Sequence, residues 1–77
     1  MLLKIISPVK EILSAEVESV ELPGSLGRFE VLPGHAPLIS SIEKGQINYK
    51  VDGKAAAVPV NSGFAEVKDN VVTVCVE

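Results

Sequence analysis

Residues 46–53, QINYKVDG, contain the clearest indication of secondary structure in the chain. Polar and apolar side chains alternate along this stretch, so that Ile47, Tyr49 and Val51 share one face of an extended backbone. A period of two is typical of a β-strand with one buried face. Asp52-Gly53 follows at once and is a strong signal for a two-residue hairpin turn. The stretch therefore predicts a strand and the turn into its antiparallel neighbour.

Turn-forming residues recur along the whole chain. They are Ser7-Pro8, Pro23-Gly24, Gly27, Pro33-Gly34, Lys44-Gly45, Asp52-Gly53, Asn61-Ser62-Gly63 and Asp69-Asn70. Regular spacing of this kind predicts short strands in a sandwich or barrel. Helical patterning is almost absent, and only residues 37–43 allow either one helical turn or a short strand. We expect an all-β fold with about eight short strands in two packed layers.

Two further apolar stretches lead to predictions about packing. In residues 12–22 the apolar positions change parity after Ser19, which indicates a β-bulge near Ser19-Val20. In residues 71–76, VVTVCV, both faces are apolar, which indicates a strand covered on both sides. We therefore expect the only cysteine, Cys75, to be a buried and unreactive side chain.

Size and composition restrict the possible functions. A chain of 77 residues predicts one domain, residues 1–77, and a single cysteine allows no internal disulfide. A net charge of −3 and the scarcity of aromatic residues argue against a nucleic-acid partner. No secretory signal is visible, because Lys4 and Pro8 interrupt the apolar N-terminus. No apolar run approaches the roughly 20 residues of a membrane helix, so we expect a chain that does not span a membrane.

The only histidine, His35, lies between Pro33 and Pro37 in a stiff, almost uncharged segment. A catalytic histidine needs a group that orients it and a group that receives its proton, and no sequence pattern places one here. A zinc site needs three or four Cys and His ligands, and the chain has one of each, far apart. We expect no catalytic, cofactor-binding or metal residues. His35 is then a structural loop residue or a contact with a partner protein.

Two glycine-containing turns allow other interpretations. PGSLG, residues 23–27, lacks the phosphate-loop pattern and predicts an exposed loop between strands. Lys54, beside a hairpin turn, is similar to the modified lysine of lipoyl and biotinyl carrier domains. However, Asp52-Gly53 fills the turn itself, and the residues that flank the lysine in those carriers are missing. A carrier domain with Lys54 as its attachment site is the alternative function.

Three segments carry a family resemblance: LPGSLGRFEVLPGHAPL at 22–38, EKGQINY at 43–49 and NSGFAEVKDNVVTV at 61–74. They resemble the N-terminal domain of the epsilon subunit of F-type ATP synthases, called delta in mitochondria. The opening IISPVKEILSAEVESV extends the resemblance over most of the chain. The resemblance implies a flattened β-sandwich of two antiparallel, five-stranded sheets, eight to ten short strands in all, without a cofactor. It also implies a non-catalytic central-stalk subunit that binds gamma and the c-ring and couples ion translocation to ATP synthesis.

The resemblance also implies two sets of contact residues. The interface with gamma consists of His35, Ala36, Pro37 and Leu38. The loop that faces the c-ring consists of Gly24, Ser25, Leu26, Gly27 and Arg28. Some relatives carry an acidic residue where this chain has Arg28, so an ionic contact there does not transfer directly.

Further implications concern location and length. The family sits at the cytoplasmic face of the bacterial inner membrane, attached only through the complex, and we expect an isolated monomer. Many relatives continue into a C-terminal helical hairpin that can inhibit ATP hydrolysis. This sequence stops at Glu77, where its last strand ends. We therefore expect a short form without the hairpin, unable to inhibit by that mechanism.

Overall fold

The computed structural model describes all 77 residues as strands and turns, with no helix. The nine strands are β1 (Leu2–Ile6), β2 (Glu11–Glu16), β3 (Ser19–Gly24), β4 (Gly27–Val31), β5 (Leu38–Ile42), β6 (Gly45–Val51), β7 (Lys54–Val60), β8 (Gly63–Lys68) and β9 (Val71–Val76). The predicted all-β fold is confirmed, and the segment that allowed a helical turn forms β5. The structure therefore contains no helix that could cross a membrane.

The nine strands form one curled sheet. Its order is β2-β1-β9-β8-β5-β3-β6-β7, with β4 on the other side of β3. The join between β5 and β3 is a single residue pair, Gly24 with Ile42, so the sheet divides into layers of five and four strands. Ser25 and Glu43 add backbone hydrogen bonds across this join, to the carbonyl oxygens of Ser41 and Pro23, at 3.0 and 2.8 Å. The predicted sandwich therefore has two layers that remain connected at one corner.

One pairing departs from the predicted antiparallel arrangement. β1 and β9 are parallel, with Leu2 opposite Val71 and Ile6 opposite Cys75. The expectation of purely antiparallel sheets is wrong for this pair. Hairpin signals in the sequence report only antiparallel neighbours, whereas a parallel pair needs a long connection. Here nearly the whole chain forms that connection.

The core lies between the two layers and is aliphatic. Its fourteen buried side chains are Leu3, Ile5, Val17, Val20, Leu22, Val31, Ile42, Ile47, Val60, Ala65, Val67, Val72, Val74 and Val76. No polar or charged residue is buried with them. This core holds the nine strands together, and most of the candidate functional residues lie in the turns between them.

The predicted strand at residues 46–51 and its hairpin are confirmed. Ile47 is buried, the polar side chains between the apolar ones are exposed, and Val51 pairs with Lys54 across the turn. Asp52 and Gly53 both have positive φ, 51° and 76°. That combination defines a type I′ turn, whose twist matches that of the two strands it joins. Lys54 is accordingly the first residue of the next strand.

The predicted bulge near Ser19-Val20 is wrong. Both residues pair regularly with β6, opposite Lys50 and Tyr49. The change of parity instead marks the break between β2 and β3, because each strand selects its inward positions independently. The register shift lies elsewhere, between Ile5 and Ile6 where β1 pairs with β2.

The predicted burial of Cys75 is also wrong. Alternate residues of β9 point into the core, and Cys75 lies on the opposite, outer face, where it is exposed. No second layer covers that face at Cys75. Apolar residues on both faces of a strand therefore did not indicate burial on both sides.

Candidate partner-binding loops

The histidine loop, residues 32–37, connects β4 to β5. The N–H of His35 donates to the carbonyl oxygen of Leu32 at 3.1 Å, which closes a four-residue turn. Pro33 occupies the second position of this turn, and Gly34 occupies the third with φ of +83°. A proline followed by a residue with positive φ is the arrangement of a type II turn. The sequence Pro-Gly thus favours the turn that presents His35.

Two contacts constrain this loop further. The N–H of Gly34 donates to Oδ1 of Asn70, in the β8–β9 turn, at 3.0 Å. Nδ1 of His35 lies 2.7 Å from the carbonyl oxygen of Ala36. Because a carbonyl oxygen can only accept, Nδ1 carries the proton in this contact. Nε2 makes no hydrogen bond within the fold, and in the neutral imidazole with this tautomer it is free to accept one.

The structure places the residues expected at a partner interface in two environments. His35, Ala36 and Pro37 are exposed, and so is Leu32 at the start of the loop. Leu38, the first residue of β5, is half-buried and packs against the core. The side chain of Leu38 therefore anchors the loop to the core and adds little to the exposed surface.

Two large apolar side chains that the sequence analysis did not single out lie on the outer face of β5 and β8. Ile39 is 74% exposed and Phe64 is 62% exposed. Ile39 pairs with Glu66, and Ser41 pairs with Phe64, so the two apolar side chains are diagonal neighbours on one face. We call Ile39 and Phe64 the outer apolar patch. A count of strand parity in GFAEV, which puts Ala65 and Val67 inside, could have found Phe64.

The second loop, residues 24–28, is the tip of the β3–β4 hairpin. Leu26 is completely exposed there, and Gly27 has φ of +126°. Gly24 is buried, and a Cβ on it would lie 2.8 Å from the carbonyl oxygen of Gly27 and from the ring of Phe29. Glycine at position 24 thus lets the hairpin close tightly.

Arg28 does not project from this tip. Its Nε donates to Oε1 of Glu21 at 2.6 Å, and its Nη2 donates to the carbonyl oxygen of Gln46 at 3.0 Å. The guanidinium therefore lies across β3 toward β6 on the outer surface of the four-stranded layer. An exposed pair of this kind contributes little to stability, but it occupies two of the donors of Arg28.

The two loops lie at opposite ends of β4, because one precedes this strand and the other follows it. A five-residue strand spans roughly 17 Å. The histidine loop and the hairpin tip are therefore separate surfaces at opposite ends of the strand.

Other features offer little for chemistry. No group of three or more His, Cys, Asp or Glu residues is placed to hold a metal ion. The larger of two surface hollows, between Ile12 and Glu77, has a volume of about 220 Å³. Pockets for small ligands usually hold roughly 300–1,000 Å³. The exposed loops and the outer apolar patch are therefore the main candidates for function.

Comparison with known proteins identifies the family. The model of the ATP synthase delta/epsilon chain β-sandwich domain matches residues 1–77. The chain belongs to this family. The ATP synthase epsilon chain of Desulfitobacterium hafniense is 50% identical over 72 residues, which are 94% of this chain and 54% of that relative. The epsilon chain of Geobacter sulfurreducens is 45% identical over 73 residues, which are 95% of this chain and 53% of that relative. The chain spans about half the length of these epsilon relatives.

Solved structures agree with this assignment. A chain of the Euglena gracilis mitochondrial ATP synthase, in a structure of OSCP, F1 and the c-ring, superposes with a TM-score of 0.88 at 26% identity. The match covers 96% of this chain and 48% of that one. A chain from the central stalk and c-ring of the Tetrahymena thermophila mitochondrial ATP synthase superposes with a TM-score of 0.80 at 13% identity. This match covers 97% of the present chain and 61% of the Tetrahymena chain. The second likeness supports the epsilon-type fold alone.

Proposed function

We propose that this chain acts as the β-sandwich part of a non-catalytic rotor subunit in an F-type ATP synthase. It links gamma to the c-ring and so helps couple ion translocation to ATP synthesis. The observation that carries the proposal is the family match over residues 1–77. In this role the chain is peripheral to the membrane, on the cytoplasmic face in bacteria, and is attached only through the complex. It needs no cofactor, and it does not itself catalyse a reaction.

Gamma is the partner proposed for the histidine loop. Both prolines restrict the backbone before docking, so the loop loses little conformational entropy when it binds. The free Nε2 of His35 supplies a directional hydrogen bond, and Ala36 and Pro37 supply apolar contact. The outer apolar patch continues this surface along β5 and β8. Burial of Ile39 or Phe64 at an interface would contribute about 1–2 kcal/mol each.

The c-ring is the partner proposed for the hairpin tip, residues 24–28. Ser25 and Leu26 form the contact itself, because Leu26 is fully exposed while Arg28 is held by Glu21. Arg28 and the glycines shape the tip. The test is co-sedimentation with the purified c-ring. Leu26→Ser is expected to weaken binding more than Arg28→Gln, and the reverse order would transfer the contact to Arg28.

The first experiment for the function is calorimetric titration of the purified chain with its cognate gamma subunit. One-to-one binding is expected, weakened by His35→Ala about tenfold, as for the loss of one good hydrogen bond. Lys54→Ala, at the exposed start of β7, is the matched control and should bind like the wild type.

The outcomes of this titration separate the alternatives. Unchanged affinity in His35→Ala would remove His35 from the interface and leave the subunit role in place. Failure of the folded wild-type chain to bind gamma would refute the rotor function. An intact mass raised by a lipoyl or biotinyl group on Lys54 would favour the carrier alternative instead.

A further inference from the structure

We infer that Asn70 is a positioning residue for the histidine loop, and that its side-chain oxygen holds the loop in the form that docks onto gamma. This inference rests on the proposed contact between that loop and gamma. It assigns a role to a residue in a different turn, 36 positions further along the chain than the glycine it contacts.

The position of Asn70 is itself well fixed. Asp69 and Asn70 form the two-residue turn between β8 and β9, where Lys68 pairs with Val71. Both have positive φ, 51° and 63°, which defines a type I′ turn. Asparagine adopts this conformation more readily than most residues. The carbonyl oxygen of Asn70 also accepts from the N–H of Leu2 at 3.1 Å, which attaches the turn to β1.

The hydrogen bond to Asn70 is donated by the peptide group whose orientation determines the turn type. The N–H of Gly34, which donates to Oδ1 of Asn70 at 3.0 Å, belongs to the peptide between Pro33 and Gly34. Type I and type II turns differ by a flip of this central peptide. In the flipped form the N–H would point away from Asn70. The hydrogen bond therefore favours the type II form, with φ of Gly34 positive.

The orientation of His35 depends on that choice. His35 directly follows the peptide, and its own N–H closes the turn onto Leu32. Among residues 33–37, the bond from Gly34 to Asn70 is the only hydrogen bond to another element of the fold. Without it the loop has two turn forms available, and binding must select one. The apparent dissociation constant for gamma is then the intrinsic constant divided by the fraction of molecules in the type II form.

Three variants test this role in the intact chain. Asn70→Gly retains the positive φ but removes the side chain, whereas Asn70→Asp retains an acceptor oxygen. Glu18→Ala is the matched control, because Oε1 of Glu18 accepts from the N–H of Gly53 at 2.7 Å in a different turn. Each variant is measured by calorimetry with purified gamma. The exchange rate of the Gly34 amide proton is followed by NMR.

The expected results distinguish positioning from general stability. Asn70→Gly should accelerate exchange at Gly34 and weaken gamma binding by up to about tenfold, the factor by which loss of one hydrogen bond changes the ratio of the two turn forms. Asn70→Asp should restore both toward wild type. Glu18→Ala should accelerate exchange at Gly53 and leave gamma binding unchanged.

Several results would overturn the inference. Unchanged exchange at Gly34 in Asn70→Gly would show that the bond does not hold the loop. Faster exchange with unchanged affinity would show that docking does not need the bond. In both cases a loss of affinity in His35→Ala would leave the proposed function intact. Absence of gamma binding by the wild-type chain would refute both.

Discussion

Replacement of Gly63 by alanine is expected to be among the most damaging single-methyl additions in this chain. Gly63 begins β8 and pairs on one side with Ile42 of β5 and on the other with Val76 of β9. A Cβ at this position would lie 2.0 Å from the carbonyl oxygen of Cys75 and 3.0 Å from its carbonyl carbon. An acceptable carbon–oxygen contact is roughly 3.3 Å, so the two strands would have to separate by more than about 1 Å.

The loss of stability depends on which groups the added methyl group would displace. The obstructing atoms belong to the backbone of β9, whose inward side chains Val74 and Val76 are in the core. Overpacking of this kind costs about 1–3 kcal/mol, and a weakened ladder hydrogen bond adds about 1 kcal/mol. We therefore expect a loss of about 3 kcal/mol. A chain of 77 residues has a total stability of roughly 4–12 kcal/mol, so the loss is a large fraction of it.

Urea denaturation of Gly63→Ala beside Gly53→Ala measures this directly. A Cβ on Gly53 would meet nothing within 4 Å, and its φ of +76° leaves only the backbone strain of about 1 kcal/mol. With a slope of about 1 kcal/mol per molar urea, the midpoints should fall by about 3 M and about 1 M. Equal shifts in the two variants would show that the clash with Cys75 is relieved without cost, and would refute the predicted difference.

Three other predictions concern the hairpin tip and the outer face. Gly24→Ala should lower the unfolding free energy by about 1–2 kcal/mol in the same assay, because its Cβ would lie 2.8 Å from the carbonyl oxygen of Gly27. An unchanged midpoint would contradict this. The exposed thiol of Cys75 should react with a disulfide reagent in the native chain, and a reaction limited by unfolding would place it in the core after all. Phe64→Ser should weaken gamma binding while changing stability by less than about 0.5 kcal/mol, whereas a large loss of stability would assign Phe64 to the core.

Much of the fold could be predicted because its signals are local. The alternation in residues 46–51 and the Asp52-Gly53 turn each depend on a few consecutive residues, and both predictions are confirmed. The exposure of Cys75 and the parallel pairing of β1 with β9 could not be predicted in that way. Both depend on which strands meet in space and on whether another layer covers a face. Apolar sequence on both sides of a strand does not contain that information.

The candidate site shows the same division. The histidine loop was found because Pro33, Gly34 and His35 lie together in a recognisable motif. The contact with Asn70 was not found, because 36 residues separate it from Gly34 and nothing local indicates that the two turns meet. The interaction of Arg28 with Glu21 could not be anticipated either, since it depends on the register between β3 and β4.

The parallel pairing of β1 with β9 has a mechanical consequence. A tensile force applied between Met1 and Glu77 pulls these two neighbouring strands in opposite directions along their length. All five residue pairs, from Leu2 with Val71 to Ile6 with Cys75, then carry the load together. An antiparallel pair pulled from adjacent ends would instead open one bond after another, like a zipper. The sandwich is therefore expected to resist a force that pulls Met1 and Glu77 apart.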